Sequence, residues 1–347
     1  MRSTSYLVPS KPTHGDPSPT QHAQILGRLL ETMQFVIDVM GGSIPPSDSP
    51  KSQWSGPGTL TPLTGEGWKS AIRVRLLHAL ARRRILSKPN FDATQDGIPI
   101  NQEDLAHTLA AFSFVPLHSL PELGLGFTKG QADATIAFWR HVGFVLGLDS
   151  HILRRHFADW ESAEMFGATC GQVLLLELGE SSTPDPEPAT IPMLAALDGM
   201  LESPLSDRLG ICRYLIGDNL SSILRLPATP LRTAVRIRWV FALAAIPVWF
   251  GRVYTRRWEE ERGRLTVEGL GRMVRWKMGM RRTAFRPRSE KGELVEGVRE
   301  REGVVRVEED VQRFIGAWRG LMREMVLVLV AAGVAIVGGL VVTWWIW

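Results

Sequence analysis

The C-terminal segment 325–347, MVLVLVAAGVAIVGGLVVTWWIW, restricts the fold more than any other part of the chain because it contains no charged residue. A helix of this length extends about 35 Å at about 1.5 Å per residue. That is enough to cross the roughly 30 Å hydrocarbon core of a bilayer. Arg319 and Arg323 precede the segment, and three tryptophans lie near its far end. Since positively charged flanks stay on the cytosolic side, we expect a C-terminal tail anchor with the preceding domain in the cytosol.

Small residues in the same segment would allow a second helix to approach closely. They are Gly333, Ala335, Gly338 and Gly339. These positions fit either a helix–helix partner in the membrane or an unpartnered membrane helix with ordinary glycines. A buried core helix is the alternative for the whole segment, but the length of the uncharged run favours the membrane.

The composition of the whole chain is that of an ordinary globular protein. Of its 347 residues, 44% are hydrophobic and 22% are charged, which excludes a wholly disordered or fibrous protein. The 40 Lys and Arg against 36 Asp and Glu leave a net charge of only +4, so the charge gives no reason to expect nucleic-acid binding. Cys170 and Cys212 are too few for a disulfide framework, and we expect both to be small buried side chains.

Apolar residues recur at three- and four-residue spacing along several segments, which is typical of amphipathic helices. We predict helices at 21–40, at 68–86 and at about 129–146. Asn101 has the position of an N-cap, with Asp104 three residues later, so a further helix should begin there. No segment reads as a strand. The sequence therefore predicts an all-α fold, a single large helical domain with a C-terminal transmembrane helix.

The predicted organisation has four parts. They are a disordered leader at 1–20, a helical domain at 21–255 with flexible loops at 43–67 and 179–190, a partly helical basic juxtamembrane linker at 256–324, and the anchor at 325–347. Pro, Ser and Thr are frequent in the leader and in both loops. The arginines of the linker are expected to contact anionic headgroups of membrane lipid, and a plain solvated linker is the alternative.

A second apolar run, residues 239–250, is ambiguous. It contains about 12 residues, fewer than the roughly 20 that a membrane span needs. We therefore predict a buried helix at this run rather than a helix that dips into the membrane.

One face of the predicted helix at 68–86 carries the most specific polar residues. Arg75, His78 and Arg82 stand at i, i+3 and i+7, which places them on one stripe. A neutral imidazole there can bind a metal, including haem iron, and the flanking guanidiniums can pair with carboxylates. A core histidine beside solvated arginines is the alternative. No nucleophile elbow, P-loop, zinc signature or dinucleotide-binding glycine motif competes with this interpretation.

The predicted helix at 21–40 carries a similar set, Arg28, Glu31 and Thr32, at i, i+3 and i+4. By spacing alone this set is a surface ion-pair face. Five other histidines have no partner pattern and are expected to be capping, surface or core residues: His107, His118, His141, His151 and His156.

Four pieces of sequence occur in an order that resembles one known family. They are RLLETMQFV at 28–36, RVRLLHALARR at 73–83, GIPINQEDLAHTLAAF at 97–112 and FWRHVGFVLGL at 138–148. Together they resemble the catalytic domain shared by bacterial latex-clearing rubber oxygenases and the fungal ER-bound oxygenase of the mycophenolic acid pathway. The resemblance covers roughly 21–254, and the Arg-x-x-His-x-x-x-Arg element is its most specific part.

The resemblance implies an all-helical enzyme that binds b-type haem and cleaves carbon–carbon double bonds of isoprenoid chains with O₂. It implies that His78 is the proximal ligand of the haem iron, with Arg75 and Arg82 on either side. Arg28 and Thr32 resemble the polar residues of the distal side. The implied partners are O₂, an apolar isoprenoid or lipid-like substrate and membrane lipid, and the implied location is the endoplasmic reticulum.

Three features depart from the family pattern. Rubber-cleaving members have a lysine where this chain has Glu31, so Glu31 is expected to act as an acid or base or to pair with Arg28. The insertion between Thr32 and His78 is long. Only 27 residues precede Arg28, so helices and an acidic residue that the family supplies upstream are expected to be missing.

Apolar residues near these positions are expected either to line a substrate cavity or to belong to plain core: Leu29, Phe35, Leu76 and Phe112. The departures from the family pattern leave a second function open. It is a non-catalytic, tail-anchored scaffold or interaction protein of the membrane that retains the fold.

Overall fold

The computed structural model describes residues 19–41, 57–180, 194–195, 203–223, 226–277 and 307–346. Every regular element in these residues is a helix, and they contain no strand, which confirms the all-α prediction. The predicted leader lies almost entirely outside the described residues. The same is true of 43–56 in the first predicted loop and of 181–190 in the second.

The helices of the described residues are α1 (Pro19–Val39), α2 (Glu66–Leu86), α3 (Ala93–Asp96), α4 (Gln102–Ser119), α5 (Lys129–Leu146), α6 (Ser150–His156), α7 (Trp160–Glu180), α8 (Leu205–Ile216), α9 (Asp218–Ile223), α10 (Leu231–Val253), α11 (Arg256–Lys277) and α12 (Val307–Ile346). Two 3-10 turns, Pro57–Leu60 and Pro121–Leu123, precede α2 and α5. The three helices that the sequence predicts from periodicity agree with α1, α2 and α5 to within two residues at each end.

Helix boundaries follow from groups that satisfy the free backbone atoms at helix ends. The Asn101 side chain accepts a hydrogen bond from the Asp104 N–H at 2.9 Å, and the Asp104 carboxylate accepts one from the Asn101 N–H at 3.0 Å. This reciprocal pair is a capping box, and it confirms the predicted start of α4. At the end of α5, Gly147 adopts a φ of 95°, in the left-handed region that favours glycine, and the helix stops there.

The larger core lies between α1, α2 and the group α4 to α7. Its fully buried residues include Ile136 and Val142 of α5, Val39 of α1 and Phe157 at the end of α6. Each such side chain contributes about 1.5–3 kcal/mol relative to exposure. This core therefore fixes α2 against α1 and α5.

The end of α1 and the start of α2 touch through backbone at Gly67. A Cβ atom at Gly67 would lie 2.8 Å from the Asp38 carbonyl oxygen and 2.9 Å from the Val39 Cα. Beside this contact, the buried Ser70 hydroxyl donates a hydrogen bond of 2.7 Å to the Asp38 carboxylate. A buried carboxylate needs such a partner, so this junction holds the two helices in one register.

The 3-10 turn Pro57–Leu60 packs against the same junction. The Thr59 hydroxyl donates a hydrogen bond of 3.2 Å to the Val39 carbonyl, and Leu60 is buried. Thr59 and Leu60, in the last part of the first predicted loop, are therefore packed against α1 and α2, whereas residues 61–64 are exposed.

A second core joins α10, α11 and α12. Its buried residues are Phe250, Trp258, Leu265, Leu321 and Met325. The Trp258 indole N–H donates a hydrogen bond of 3.3 Å to the Leu321 carbonyl, and α11 also packs against α1. The predicted linker at 256–324 thus begins with a helix that connects the two cores.

Four arginines of α11 pair with glutamates of the same helix: Arg256, Arg262, Arg264 and Arg272. Arg256 lies 2.7 Å from Glu260, Arg264 lies 2.6 Å from Glu261, and both Arg264 and Arg272 contact the buried Glu268. Contact of the linker arginines with lipid headgroups therefore stays a prediction for residues 278–306, which lie outside the described residues.

The prediction that the apolar run 239–250 is buried is wrong. Trp239 is 64% exposed, Leu243 is 59% exposed and Trp249 is 48% exposed. A helix formed from 12 apolar residues is apolar on every side. Because α8, α11 and α12 pack against only part of α10, the remaining apolar side chains are exposed. By length and composition, Leu231–Val253 and Gln312–Val337 are both candidate membrane spans.

Candidate active site

The inner face of α2 holds His78. Gly67, Ser70 and Ala71 are buried at the start of this face, and His78 follows Ala71 by seven residues, two helical turns further along the same face. The imidazole is half-buried, and its Nδ1 atom is buried with no hydrogen-bond partner among the described residues. A buried polar atom without a partner is costly, so this nitrogen is the exceptional feature of the site.

The environment of His78 keeps the imidazole neutral. Burial lowers the pKa of His78 below its ordinary value of 6.5, and the positive charge of Arg82 lowers it further. The neutral imidazole is the form that binds a metal. The predicted assignment of His78 as a ligand is therefore chemically compatible with its surroundings.

Acid should destabilise the folded chain through His78. Because the folded pKa lies below 6.5, the unfolded chain takes up the proton first as the pH falls below this value. The free energy of unfolding then decreases until the pH passes the folded pKa. In haem-free protein, we expect urea denaturation to show a steeper loss of stability between about pH 7 and about pH 5 than in the His78→Gln variant. Parallel pH profiles for the two proteins would contradict this.

Arg82 is engaged with backbone carbonyls. Its Nε donates a hydrogen bond of 3.1 Å to the Pro99 carbonyl, and its Nη2 donates a short one to the Ile100 carbonyl. Ile100 adopts a φ of 53°, a left-handed conformation that is unfavourable for a β-branched residue. Arg82 therefore ties α2 to the segment that leads into α4, and its charge acts on His78 at the same time.

Arg75 lies on the edge of α2 nearest to the end of α5. Its Nη1 is 3.4 Å from the Val145 carbonyl oxygen. A Cβ atom at Gly147 would lie 2.8 Å from the Arg75 Nε, so this glycine both ends α5 and makes room for the guanidinium.

Arg75 also lines an open cavity of about 780 Å³ between α2, α5 and α6. Its other lining residues include Trp68, Ile72, Phe144 and Gln102. Gln102 closes one side, because its amide donates a hydrogen bond of 3.1 Å to the Gly147 carbonyl and accepts one of 2.8 Å from the Asp149 N–H. His78 is not part of this lining.

On α1, the three predicted residues differ in exposure. Arg28 and Thr32 are exposed, and the Thr32 hydroxyl donates a hydrogen bond of 2.9 Å to the Arg28 carbonyl within the helix. Glu31 is partly buried. It shares a face with Gln34 and Asp38, at i+3 and i+7, and this is the face that the structure buries.

Gln34, Asp38 and Ser70 form a buried polar group between α1 and α2 that the sequence analysis missed. The Asp38–Ser70 hydrogen bond joins the two helices. Glu31 precedes Asp38 by seven residues on α1, and His78 follows Ser70 by eight residues on α2. These separations correspond to about 10 Å and about 12 Å along the two helix axes. The signal that was available is the spacing of Glu31, Gln34 and Asp38 at i, i+3 and i+7, which places three polar residues on one face of α1.

The predicted cavity-lining residues have different positions. Phe35 belongs to the buried core, and Phe112 stacks on Trp139 with ring centroids 5.6 Å apart. Leu76 is 58% exposed on the side of α2 opposite to His78, so the prediction that it is a cavity or core residue is wrong.

Other histidines make aromatic contacts that His78 lacks. His107 and His156 lie 5.9 Å and 4.8 Å from the Phe166 ring, and His118 lies 5.3 Å from the Phe114 ring, measured between centroids. Their positions agree with the expectation of packing or surface roles.

The cysteines are half-buried. Burial raises the pKa of the Cys170 thiol to about 11, with a smaller effect from Glu103, and burial also raises the pKa of Cys212. Both thiols are therefore protonated at neutral pH, which disfavours metal ligation or nucleophilic chemistry.

Within the described residues, no group of three or more His, Cys, Asp or Glu side chains could hold a bare metal ion. Haem needs fewer protein ligands, because the tetrapyrrole supplies four nitrogens and a single histidine can complete the attachment. The partnerless, neutral imidazole of His78 fits that requirement.

Residues 12–289 match the family described as ER-bound oxygenase mpaB/B′/Rubber oxygenase, catalytic domain. The chain belongs to this oxygenase family. The match confirms the resemblance stated from the sequence and extends past residue 254 to include α11. No curated protein and no solved structure matches the chain significantly.

Membership of the oxygenase family implies O₂ as a co-substrate and a hydrophobic substrate. The matched region contains α1 and α2 with all six predicted site residues, and it ends before α12. The candidate site therefore lies entirely in the oxygenase domain, whereas the apolar helix α12 follows it.

Proposed function

We propose that the chain is a membrane-anchored, b-type haem-dependent oxygenase that cleaves a carbon–carbon double bond of an unsaturated isoprenoid or lipid-like substrate. The observation that carries the proposal is His78, a neutral, half-buried imidazole with a partnerless buried Nδ1, in a chain of the rubber oxygenase family. When bound, the haem iron supplies the oxygen chemistry.

On α2, His78 would hold the haem iron, and the two arginines would have separate tasks. Arg82 is a positioning residue, because its hydrogen bonds to the Pro99 and Ile100 carbonyls fix α2 against the start of α4. Its charge also keeps the imidazole unprotonated. Arg75 presents its guanidinium to the open cavity, where it can pair with the propionate carboxylates of haem.

On α1, Arg28 would supply hydrogen-bond donors to the reacting oxygen, and Glu31 would hold or release a proton. Thr32 would donate to the same oxygen after its hydroxyl rotates away from the Arg28 carbonyl. This role for Glu31 is supported by its partly buried position on the same face as Gln34 and Asp38.

The candidate span Gln312–Val337 of α12 would anchor the enzyme in a membrane, and membership of a family described as ER-bound favours the membrane of the endoplasmic reticulum. Beyond Met325 the residues of this span are apolar and, apart from Val328, exposed, including Leu327 and Val334. Arg319 and Arg323 precede them, which favours a cytosolic oxygenase domain. A helix–helix partner of α12 stays a prediction from its small residues.

The absorption spectrum of the full chain tests the haem proposal. Protein purified in detergent from haem-sufficient cells should show a Soret band and should consume O₂ in the presence of an unsaturated isoprenoid. Colourless protein with native helical content by circular dichroism would contradict the proposal and favour the scaffold alternative.

Removal of residues 325–347 tests the anchor. The full chain should stay with the membrane fraction during carbonate washing, because extraction would expose a long apolar helix to water. The shortened chain should move to the supernatant. If the shortened chain stays with the membrane, a second segment anchors it.

A further inference from the structure

A second cavity, of about 730 Å³, lies between the turn Pro121–Leu123 and helices α8, α10 and α12. Its apolar wall consists of Phe241, Ala242, Ala245, Ile246, Trp249 and Leu329. The volume is within the range of about 300–1,000 Å³ that is usual for small-molecule sites. None of the six predicted site residues lines it.

The cavity lies beside the part of α12 that follows its last charged residue. Leu329 is the fifth residue after Glu324, the last charged residue of the chain, so it lies about 7.5 Å along the helix beyond that charge. The neighbouring residues Leu327 and Val330 are exposed and apolar. If α12 enters a bilayer, the wall at Leu329 is at the edge of the hydrocarbon region.

The exposed side of α10 is suited to the same environment. The 13 residues 239–251 contain no charge between Arg238 and Arg252. They extend about 20 Å, less than the roughly 30 Å hydrocarbon core. Trp239 and Trp249 lie near the two ends of this run and are exposed, as is typical of residues at a membrane interface. We infer that α10 rests against one leaflet without crossing the bilayer.

The charges of α10 favour phospholipid over a neutral occupant. All its charged residues are arginines: Arg232, Arg236, Arg238 and Arg252. Arg236 pairs with Asp207, and Arg252 donates a hydrogen bond of 2.9 Å to the Gly126 carbonyl. Arg238 belongs to the cavity lining and is exposed. A cation beside an apolar cavity suits a molecule with an anionic headgroup and an apolar chain.

We propose that this cavity binds one acyl chain of an anionic membrane phospholipid, with Arg238 beside its headgroup. This proposal rests on the proposed insertion of α12 into a membrane, and it is independent of haem binding at His78. The bound lipid would hold α8, α10 and α12 together at the membrane surface and so fix the oxygenase domain against the bilayer.

Photolabelling of the full chain tests the proposal. The protein is reconstituted in phosphatidylcholine and phosphatidylserine vesicles in which the phosphatidylserine carries a diazirine near the end of its acyl chain. After irradiation, labelled peptides are mapped by mass spectrometry. Labels should concentrate on 241–249 of α10 and on the part of α12 around Leu329.

Two neighbouring substitutions separate the cavity from general lipid contact. Ala242→Trp places an indole in the cavity and should lower labelling of the cavity-lining residues of α10 by roughly ten-fold, which corresponds to about 1.4 kcal/mol of binding free energy. Leu243→Trp changes an exposed residue outside the lining and should leave labelling unchanged. Circular dichroism and thermal melting confirm that both variants fold.

Three results would overturn the proposal. Equal labelling of the cavity-lining residues of α10 in both variants indicates general contact with lipid. Labelling of α12 without labelling of α10 would support the membrane insertion of α12 and contradict the lipid site beside α10. Labelling of neither helix means that the membrane insertion of α12 also fails, whereas the Soret band tests the haem proposal separately.

Discussion

Replacing His78 with alanine is expected to abolish the Soret band and the oxygenase activity. The described residues contain no cluster of metal-binding side chains that could substitute for it. Mutation of an outer partner of a metal ligand lowers affinity by roughly 10–100-fold, so removal of the ligand itself should have a larger effect. The measurement is the haem-to-protein absorbance ratio of the purified variant, together with O₂ consumption.

His141→Ala is the matched control for this variant. His141 is an exposed residue of α5, also inside the matched family region, and its removal should leave the Soret band unchanged. Equal haem content in the two variants would contradict the assignment of His78. Loss of haem from both variants, with native circular dichroism, would show that haem binding does not depend on His78 alone.

Local signals in the sequence were sufficient for several features of the fold and site. The Asn101–Asp104 capping box was predictable because both residues lie within one helical turn and satisfy each other's backbone groups. The stripe of Arg75, His78 and Arg82 followed from helical spacing, and the structure places His78 on the buried side of α2. In these cases, the relevant interactions depend on nearby residues of one helix.

Interactions between distant segments could not be predicted in the same way. The Asp38–Ser70 hydrogen bond joins residues 32 positions apart. The contacts of Arg82 with Pro99 and Ile100 depend on how a loop returns to α2. Spacing shows which residues share a face, but it does not show which element covers that face.

The error at residues 239–250 has the same origin. Apolar composition alone cannot distinguish a helix buried in protein from one that faces lipid, since both are apolar on all sides. The arginines at both ends of the run and the two tryptophans within it are the signals that would have favoured a membrane-facing helix.

Replacing Gly67 with valine is expected to lower the free energy of unfolding strongly. The added Cβ would meet the Asp38 carbonyl oxygen at 2.8 Å, the Val39 Cα at 2.9 Å and the Thr59 carbonyl oxygen at 3.0 Å. All three are backbone atoms, so no side chain can rotate to relieve the contact. Overpacking typically costs about 1–3 kcal/mol, and contact with three backbone atoms places this site near the upper value. A loss of about 3 kcal/mol corresponds to a decrease of roughly 6–12 °C in Tm for a domain of this size.

Gly27→Ala is the control, because Gly27 lies in α1 with no atom within 4 Å of an added Cβ. Alanine in a helix interior is favoured over glycine by about 0.5–1 kcal/mol, so this variant should melt slightly above the unmodified protein. Thermal melting by circular dichroism measures the stability of both variants.

Because Gly67 and Ser70 hold the start of α2 against α1, separation of the two helices should also displace His78 from its half-buried position. The Gly67→Val protein should therefore lose haem at temperatures at which its helices are still formed, and full haem retention up to the melting transition would show that the junction does not position the site.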